Sequence, residues 1–182
     1  MNARSLIPKL DSFKDLTDEL NAHVAVVTET WFNDSAYHEK ILEDFQSINS
    51  CEFIRKDRRN GRRGGGVAIW FSGQVISMSR ARLPHSKHEI VAAIGRRTGQ
   101  RRKILVIGAY IPPWYNSAQN KNFYLHLNDC LTLLQKRYDQ PYVIVAGDFN
   151  RRDFRAATSE FPEIKQLQTP PTKPYWMLLD PI

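Results

Sequence analysis

Asp148 and Asn150 stand two residues apart at the end of an apolar run, Val143-Ile-Val-Ala-Gly-Asp-Phe-Asn150. A buried strand that meets a glycine and then leaves its sheet would aim both side chains at one place, provided the backbone stays extended. A carboxylate beside a carboxamide offers hard oxygen chemistry, suited to a magnesium ion and to the oxygens of a phosphate. Gly-Asp and Asn are equally the residues of an ordinary turn. A second carboxylate, Glu29, follows the strand-length run Val24 to Thr28 and precedes Thr30 and Trp31. Taken alone, Glu29 is a plain surface residue and Trp31 a plain core one. Tyr110, in Ile107-Gly-Ala-Tyr-Ile-Pro-Pro113, lies near a strand end before a rigid turn. Its hydroxyl could hold a phosphate, or its ring could fill a core. Asn2 is the fourth polar candidate, close to a chain end, where side chains often fray.

The chain is basic, with a net charge of +7 and a pI near 9.5. Its arginines fall into three clusters: Arg55 to Arg63, Arg96 to Lys103, and Arg151 to Arg155. Any one of them reads as a solvated loop, while three on one domain favour contacts to a polyanion such as nucleic acid. Two cysteines, Cys51 and Cys130, have neither zinc-site nor disulfide-framework spacing, and a reducing compartment is the simplest expectation. No stretch approaches the ~20 apolar residues of a membrane helix, and no signal-peptide pattern opens the chain. No glycine-rich nucleotide-binding motif follows a strand, so no nucleotide cofactor is expected.

The elements that must position these residues follow from periodicity. Leu10, Phe13, Leu16 and Leu20 predict a helix from Pro8 to Leu20, with the proline in its first turn. A second helix is expected around Tyr37 to Phe45, and the strongest of all from Asn116 to Tyr138, with Phe123, Leu127, Leu131 and Leu134 on one face. Strands are expected at Val24–Thr28, Gly66–Phe71, Gln74–Met78, Glu89–Ile94, Lys103–Ile111 and Tyr142–Ala146. The segment after Gly147, with five prolines, reads as irregular. Strands outnumber helices and hairpin-like neighbours dominate the middle, which predicts an α/β domain with mixed sheets covered by helices.

Five segments then occur in order and at fitting distances: Asn2-Ala-Arg-Ser-Leu6, Glu29-Thr-Trp31, Arg58 through Gly64-Gly-Gly-Val-Ala-Ile69, Tyr110-Ile-Pro-Pro113 and Gly147-Asp-Phe-Asn150. As a set they resemble the endonuclease domain of non-LTR (LINE-type) retrotransposons, of the endonuclease/exonuclease/phosphatase class. That domain is similar to apurinic/apyrimidinic endonucleases and pancreatic deoxyribonuclease. Arg4 stands where the apurinic endonucleases place a second acidic residue, which favours the retrotransposon branch. The resemblance implies a four-layer α/β/β/α sandwich, two mixed sheets face to face, with the site where strand ends meet at one edge. It implies magnesium (or manganese) held by Glu29 and Asn2, Tyr110 and Asn150 on the scissile phosphate, and Asp148 on the attacking water. Asp180 resembles an aspartate that supports a catalytic histidine in a Ser-Asp-His motif. Arg58, Arg59, Arg62, Arg63, Arg151 and Arg152 are the implied DNA contacts.

The sequence also departs from that family. It ends at Ile182 without the Ser-Asp-His segment, Pro181 stands where a strand normally continues, and only Met1 precedes Asn2 where the family has a strand. The expectation is therefore one domain, 1–182, incomplete at both ends, monomeric, and nuclear or cytoplasmic. Its activity would be magnesium-dependent nicking of target DNA, which in the family primes reverse transcription, weakened or lost through the missing segment. Two other readings stay open: a non-catalytic nucleic-acid-binding remnant, and a phosphatase of the same fold.

Overall fold

The computed structural model describes residues 1–58, 64–73, 76–97, 99–150 and 176–179. Strands β1 (Val24–Thr28), β2 (Cys51–Lys56) and β3 (Val67–Ser72) form a three-stranded antiparallel sheet in the order β1-β3-β2. Strands β4 (Ile76–Arg80), β5 (Glu89–Arg97), β6 (Ile104–Tyr110), β7 (Tyr142–Asp148) and β8 (Trp176–Leu179) form a five-stranded sheet in chain order. In that sheet β6 and β7 pair in parallel and the other neighbours antiparallel.

Three helices cover the outer faces. A single 3-10 turn, Ile7–Lys9, carries Pro8 and leads into α1 (Leu10–Glu19), which buries Leu10, Phe13 and Thr17. Helix α2 (Ala36–Asn49) starts where the Ser35 side chain accepts the His38 N–H, and it buries Leu42 and Phe45. Both pack with Val27, Cys51, Ala68 and Trp70 on the outside of the small sheet. Helix α3 (Ser117–Arg137) opens with a reciprocal capping box between Asn116 and Gln119. Its Phe123, Leu127, Leu131 and Leu134 pack on Ile90, Ala92, Leu105, Ile107, Val143 and Val145 of the large sheet. The opposite side chains of the same strands, Val91, Ala93, Val106, Tyr110 and Ala146, meet Val26, Ile54, Val67, Ile69 and Phe71 of the small sheet. Strands covered on both faces have no polar side to show, which is why they read as unbroken apolar runs. The architecture is the four-layer α/β/β/α sandwich with two sheets face to face.

Some elements differ from expectation. Strand β2 was not foreseen, because Cys51 to Lys56 has charged or half-buried residues at most positions and merges with the first basic cluster. Strand β8 lies within the proline-rich stretch read as irregular, and β4 begins at Ile76 and runs on to Arg80. Asn2 is anchored although only Met1 precedes it. It bridges Thr28 in parallel, while Ala3 donates to the Thr28 carbonyl at 2.9 Å and Thr28 to the Met1 carbonyl at 2.8 Å. Met1 to Ala3 thus run along the edge of β1. Both cysteines are free and buried. Among the described residues no helix is long and apolar enough to cross a membrane.

Candidate active site

The parallel register pairs Tyr110 with Asp148, and the neighbouring hairpin pairs Tyr110 with Glu89. Three adjacent strands therefore close or open with a functional side chain at the same end of the large sheet. The Asn2–Thr28 bridge sets Glu29 one residue beyond the end of β1. Of the candidates drawn from the sequence, Asn2, Glu29, Tyr110, Asp148, Asn150 and Arg58 are tied to this rim. Arg59, Arg62, Arg63, Arg151, Arg152 and Asp180, with Pro181, lie outside the described residues.

Glu29 is the most heavily held group. One carboxylate oxygen accepts the Gly65 N–H at 2.9 Å and the Trp31 indole N–H at 2.6 Å, and the other accepts the Tyr110 hydroxyl. Burial alone would push its pKa up. The Gly65, Tyr110 and Trp31 donors and the nearby Arg58 charge outweigh that and hold it below the usual carboxylate value. Tyr110 moves the opposite way: burial first, then donation to the Glu29 carboxylate, raise its pKa and keep the phenol protonated. Trp31 is not the core residue expected. Its ring is partly exposed and its N–H serves Glu29.

Asp148 is held from two sides. Asn2 Nδ2 donates to one oxygen at 2.8 Å, and the Asn150 backbone N–H to the other at 2.9 Å. Asn150 Nδ2 donates in turn to the Ile111 carbonyl at 2.5 Å. The pair does not converge through extended backbone. Asn150 has φ 52°, so Asp148 and Asn150 come together in a side-chain-closed turn. Gly147 just before it is obligatory, since a Cβ there would stand 1.8 Å from the Ala109 carbonyl oxygen.

Behind Glu29 and Tyr110, Arg58, expected from the sequence as a DNA contact, is paired with Glu89, which the sequence did not single out as functional. Glu89, only 7% exposed, accepts Arg58 Nε at 2.6 Å and the Gly66 N–H at 2.5 Å. The Arg58 guanidinium lies 5.7 Å over the Tyr110 ring and 4.9 Å over the Trp114 ring. Burial opposes its charge, but the Glu89 ion pair outweighs burial and keeps it a cation. Gly64, Gly65 and Gly66 all have φ between +78° and +94°, and a Cβ on Gly65 would strike the guanidinium at 2.2 Å. The glycine run thus lets backbone N–H groups reach two carboxylates at once. A charged residue opening a strand gave no sign of this burial. The only signal was the arginine upstream of three glycines.

Among the described residues nine non-glycine residues have positive φ. Asn21, Ser50, Asp139 and Gln140 sit at helix ends and turns, but Arg4, Ser5, Glu29, Trp31 and Asn150 belong to the rim segments. Left-handed backbone at such residues costs roughly 1–2 kcal/mol each, and it is concentrated at this rim. The segments are laced together: Ser5 donates to the Glu29 carbonyl at 2.9 Å, Leu6 to that of Thr30 at 3.0 Å, and Trp31 to that of Gly65 at 3.0 Å.

Among the described residues no group of three or more histidines, cysteines or carboxylates is close enough to hold a metal by itself. The donor set, Glu29 and Asp148 carboxylates and the Asn2 carboxamide, is all hard oxygen. It fits a cation that takes one or two carboxylates and fills its shell with water and phosphate, as magnesium does. It does not fit zinc, which prefers nitrogen and sulfur.

A sandwich with acidic strand ends and a cation behind them at one rim is an architecture for phosphate-ester chemistry. The whole of 1–180 matches the model of the endonuclease/exonuclease/phosphatase family. The chain belongs to that family, whose description spans endonucleases, exonucleases and phosphatases, hydrolases of phosphate esters. Solved structures share the fold at low identity. The human Nocturnin catalytic domain with bound sulfate aligns with TM-score 0.69 and 12% identity, over 94% of this chain and 74% of that one. TDP2 of D. rerio complexed with a single-strand DNA product gives 0.57 and 14%, over 88% and 62%. The mannosyl-6-phosphatase Bt3783 of Bacteroides thetaiotaomicron gives 0.65 and 10%, over 85% and 62%. No curated protein sequence matches this one.

Proposed function

We propose that this chain is a magnesium-dependent DNA endonuclease domain that nicks a phosphodiester, of the kind found in non-LTR retrotransposons. The observation that carries the reading is the Glu29 carboxylate, kept charged by three donors beside the Asn2–Asp148 pair. Glu29 and Asn2 would hold the ion, which supplies charge neutralisation at the phosphate and the leaving oxygen. Asp148, oriented by Asn2 and Asn150, aligns the attacking water and takes its proton. An amide has two N–H donors, so Asn150 keeps one for a phosphate oxygen while the other stays on Ile111. Tyr110 has a single hydroxyl proton, so it becomes the second donor to the developing charge by turning that proton from Glu29 to the phosphate. Arg58 brings a fixed positive charge, and the arginines beyond it, Arg59, Arg62, Arg63, Arg151 and Arg152, grip the DNA backbone with little sequence preference. Asp180 would support this centre. A nucleic-acid substrate agrees with the net charge of +7, and one fold neighbour is solved with a DNA product. The domain would act as a monomer, in the nucleus or cytoplasm.

Supercoiled plasmid incubated with the protein in magnesium should convert to the open circular form, and chelator or Glu29→Ala should stop it. Hydrolysis of small phosphomonoesters without nicking would replace this reading with a phosphatase of the same fold. A folded protein that binds DNA equally with and without magnesium and never cuts would make it a binding remnant.

A further inference from the structure

Trp114 is 57% exposed, and it lies in a short closed turn at the rim. Pro112 and Pro113 precede it, and the Tyr115 N–H closes the turn on the Pro112 carbonyl at 3.1 Å. One face of the indole is covered by the Arg58 guanidinium at 4.9 Å. That guanidinium is fixed by Glu89 and lies over Tyr110, whose hydroxyl meets Glu29. A single anchored cation therefore separates the indole from the phenol at the reacting centre. A phosphate needs cations and N–H donors, which the site has without Trp114. A wet, rigid, cation-backed aromatic ring beside a phosphate site fits a flat π-system instead.

We propose that Trp114, backed by Arg58, is a stacking subsite for one unpaired nucleobase next to the phosphate to be cut. The proposal rests on the phosphodiesterase reading above and adds the form of the substrate: a strand with a base free to leave its stack. Every base has a π face, so the subsite favours nucleic acid over small phosphates without reading sequence, and stacking on an aromatic side chain strengthens binding about ten-fold or more per base.

Fluorescence anisotropy tests this with two labelled probes of equal length and charge at fixed salt, in chelator. One is single-stranded oligothymidine; the other is a base-less sugar-phosphate oligomer. Trp114→Ala should weaken oligothymidine about ten-fold and the base-less oligomer less than two-fold, and Trp114→Phe should recover most of the loss. The difference between probes isolates the base from any loosening of Arg58, because that charge serves both probes alike. Equal weakening of both probes, or of neither, overturns the proposal. Equal thermal melting of the three proteins shows that the exposed position does not affect folding. Plasmid nicking in magnesium is read separately. Nicking with no probe difference rejects the stacking subsite alone, while a probe difference without nicking keeps the subsite and rejects the endonuclease.

Discussion

At one end of the large sheet Glu89, Tyr110 and Asp148 lie side by side on β5, β6 and β7; at the other, Gly95, Ile104 and Tyr142 lie on the same strands. The two ends are about 20 Å apart at the rise of a strand. The second arginine cluster, read from the sequence with the others as a set of phosphate contacts, belongs to the far end. There the charges are solvated and rest on aromatic rings: Arg102 lies 4.3 Å over Tyr142 and Lys103 5.5 Å over Tyr138. Arg102 also donates to the Gln140 carbonyl at 2.9 and 2.8 Å. At the near end Arg58 is nearly buried and tied to a carboxylate. Counting cations therefore says what kind of partner a domain prefers, while burial and partnering say where chemistry happens.

The sharpest test of this contrast is Glu29→Gln, which removes the charge but keeps the shape. Nicking in magnesium should fall by about 10³, and a variant within a few-fold of wild type would move the chemistry elsewhere on the rim. Next, Arg58→Met strands the Glu89 carboxylate in a buried place. Chemical denaturation should show a loss of about 3–5 kcal/mol, and an unchanged midpoint would mean that the pair is solvated.

Acid should also act on the near end. His88, 6% exposed, packs against Tyr115, Phe123 and His126. Burial, His126 and neighbouring lysines push its pKa down to about 4. The unfolded imidazole takes its proton near 6.5, so the unfolded state binds more protons between the two values and the fold loses stability as pH drops through that window. The loss should reach roughly 2–3 kcal/mol near pH 4. His126, shifted the same way, leaves a smaller residue of it in His88→Phe. Urea midpoints at pH 7 and 4.5 for the two proteins measure this. A pH dependence unaltered by His88→Phe would place its origin outside this cluster. The smallest effect belongs to the far end: Arg97→Ala with Arg101→Ala should change nicking less than two-fold at physiological salt. A ten-fold loss would show that the DNA reaches across the whole sheet.

Much of this molecule is legible in its sequence for a simple reason. Strands covered on both sides announce themselves as apolar runs, and α3 as a row of Phe123, Leu127, Leu131 and Leu134. Strand β2 does not, because its residues are half wet and carry Arg55 and Lys56. Glu29, Tyr110, Asp148 and Asn150 could be named because they lie at or just past strand ends, where side chains leave the core, and Asn2 because its segment resembles the family's. Glu89 could not, since nothing local tells that a carboxylate will be buried. Its partners Arg58 and Gly66 are 31 and 23 residues away. Between the two geometries open to Asp148 and Asn150, extended backbone and a turn, the structure has the turn, a choice made by the Asx side chain and not by periodicity.

The parallel pairing of β6 and β7 has one more consequence. Both strands discharge their chains on the same side, with Tyr110 and Asp148 locked opposite each other by backbone register. The residues of the Pro112–Tyr115 turn are thus appendages on a fixed frame. Insertions and replacements in them leave the phenol and the carboxylate where they are. One frame can then be refitted for new substrates by exchanging its fringes, a route to diversification that needs no repacking of the sandwich.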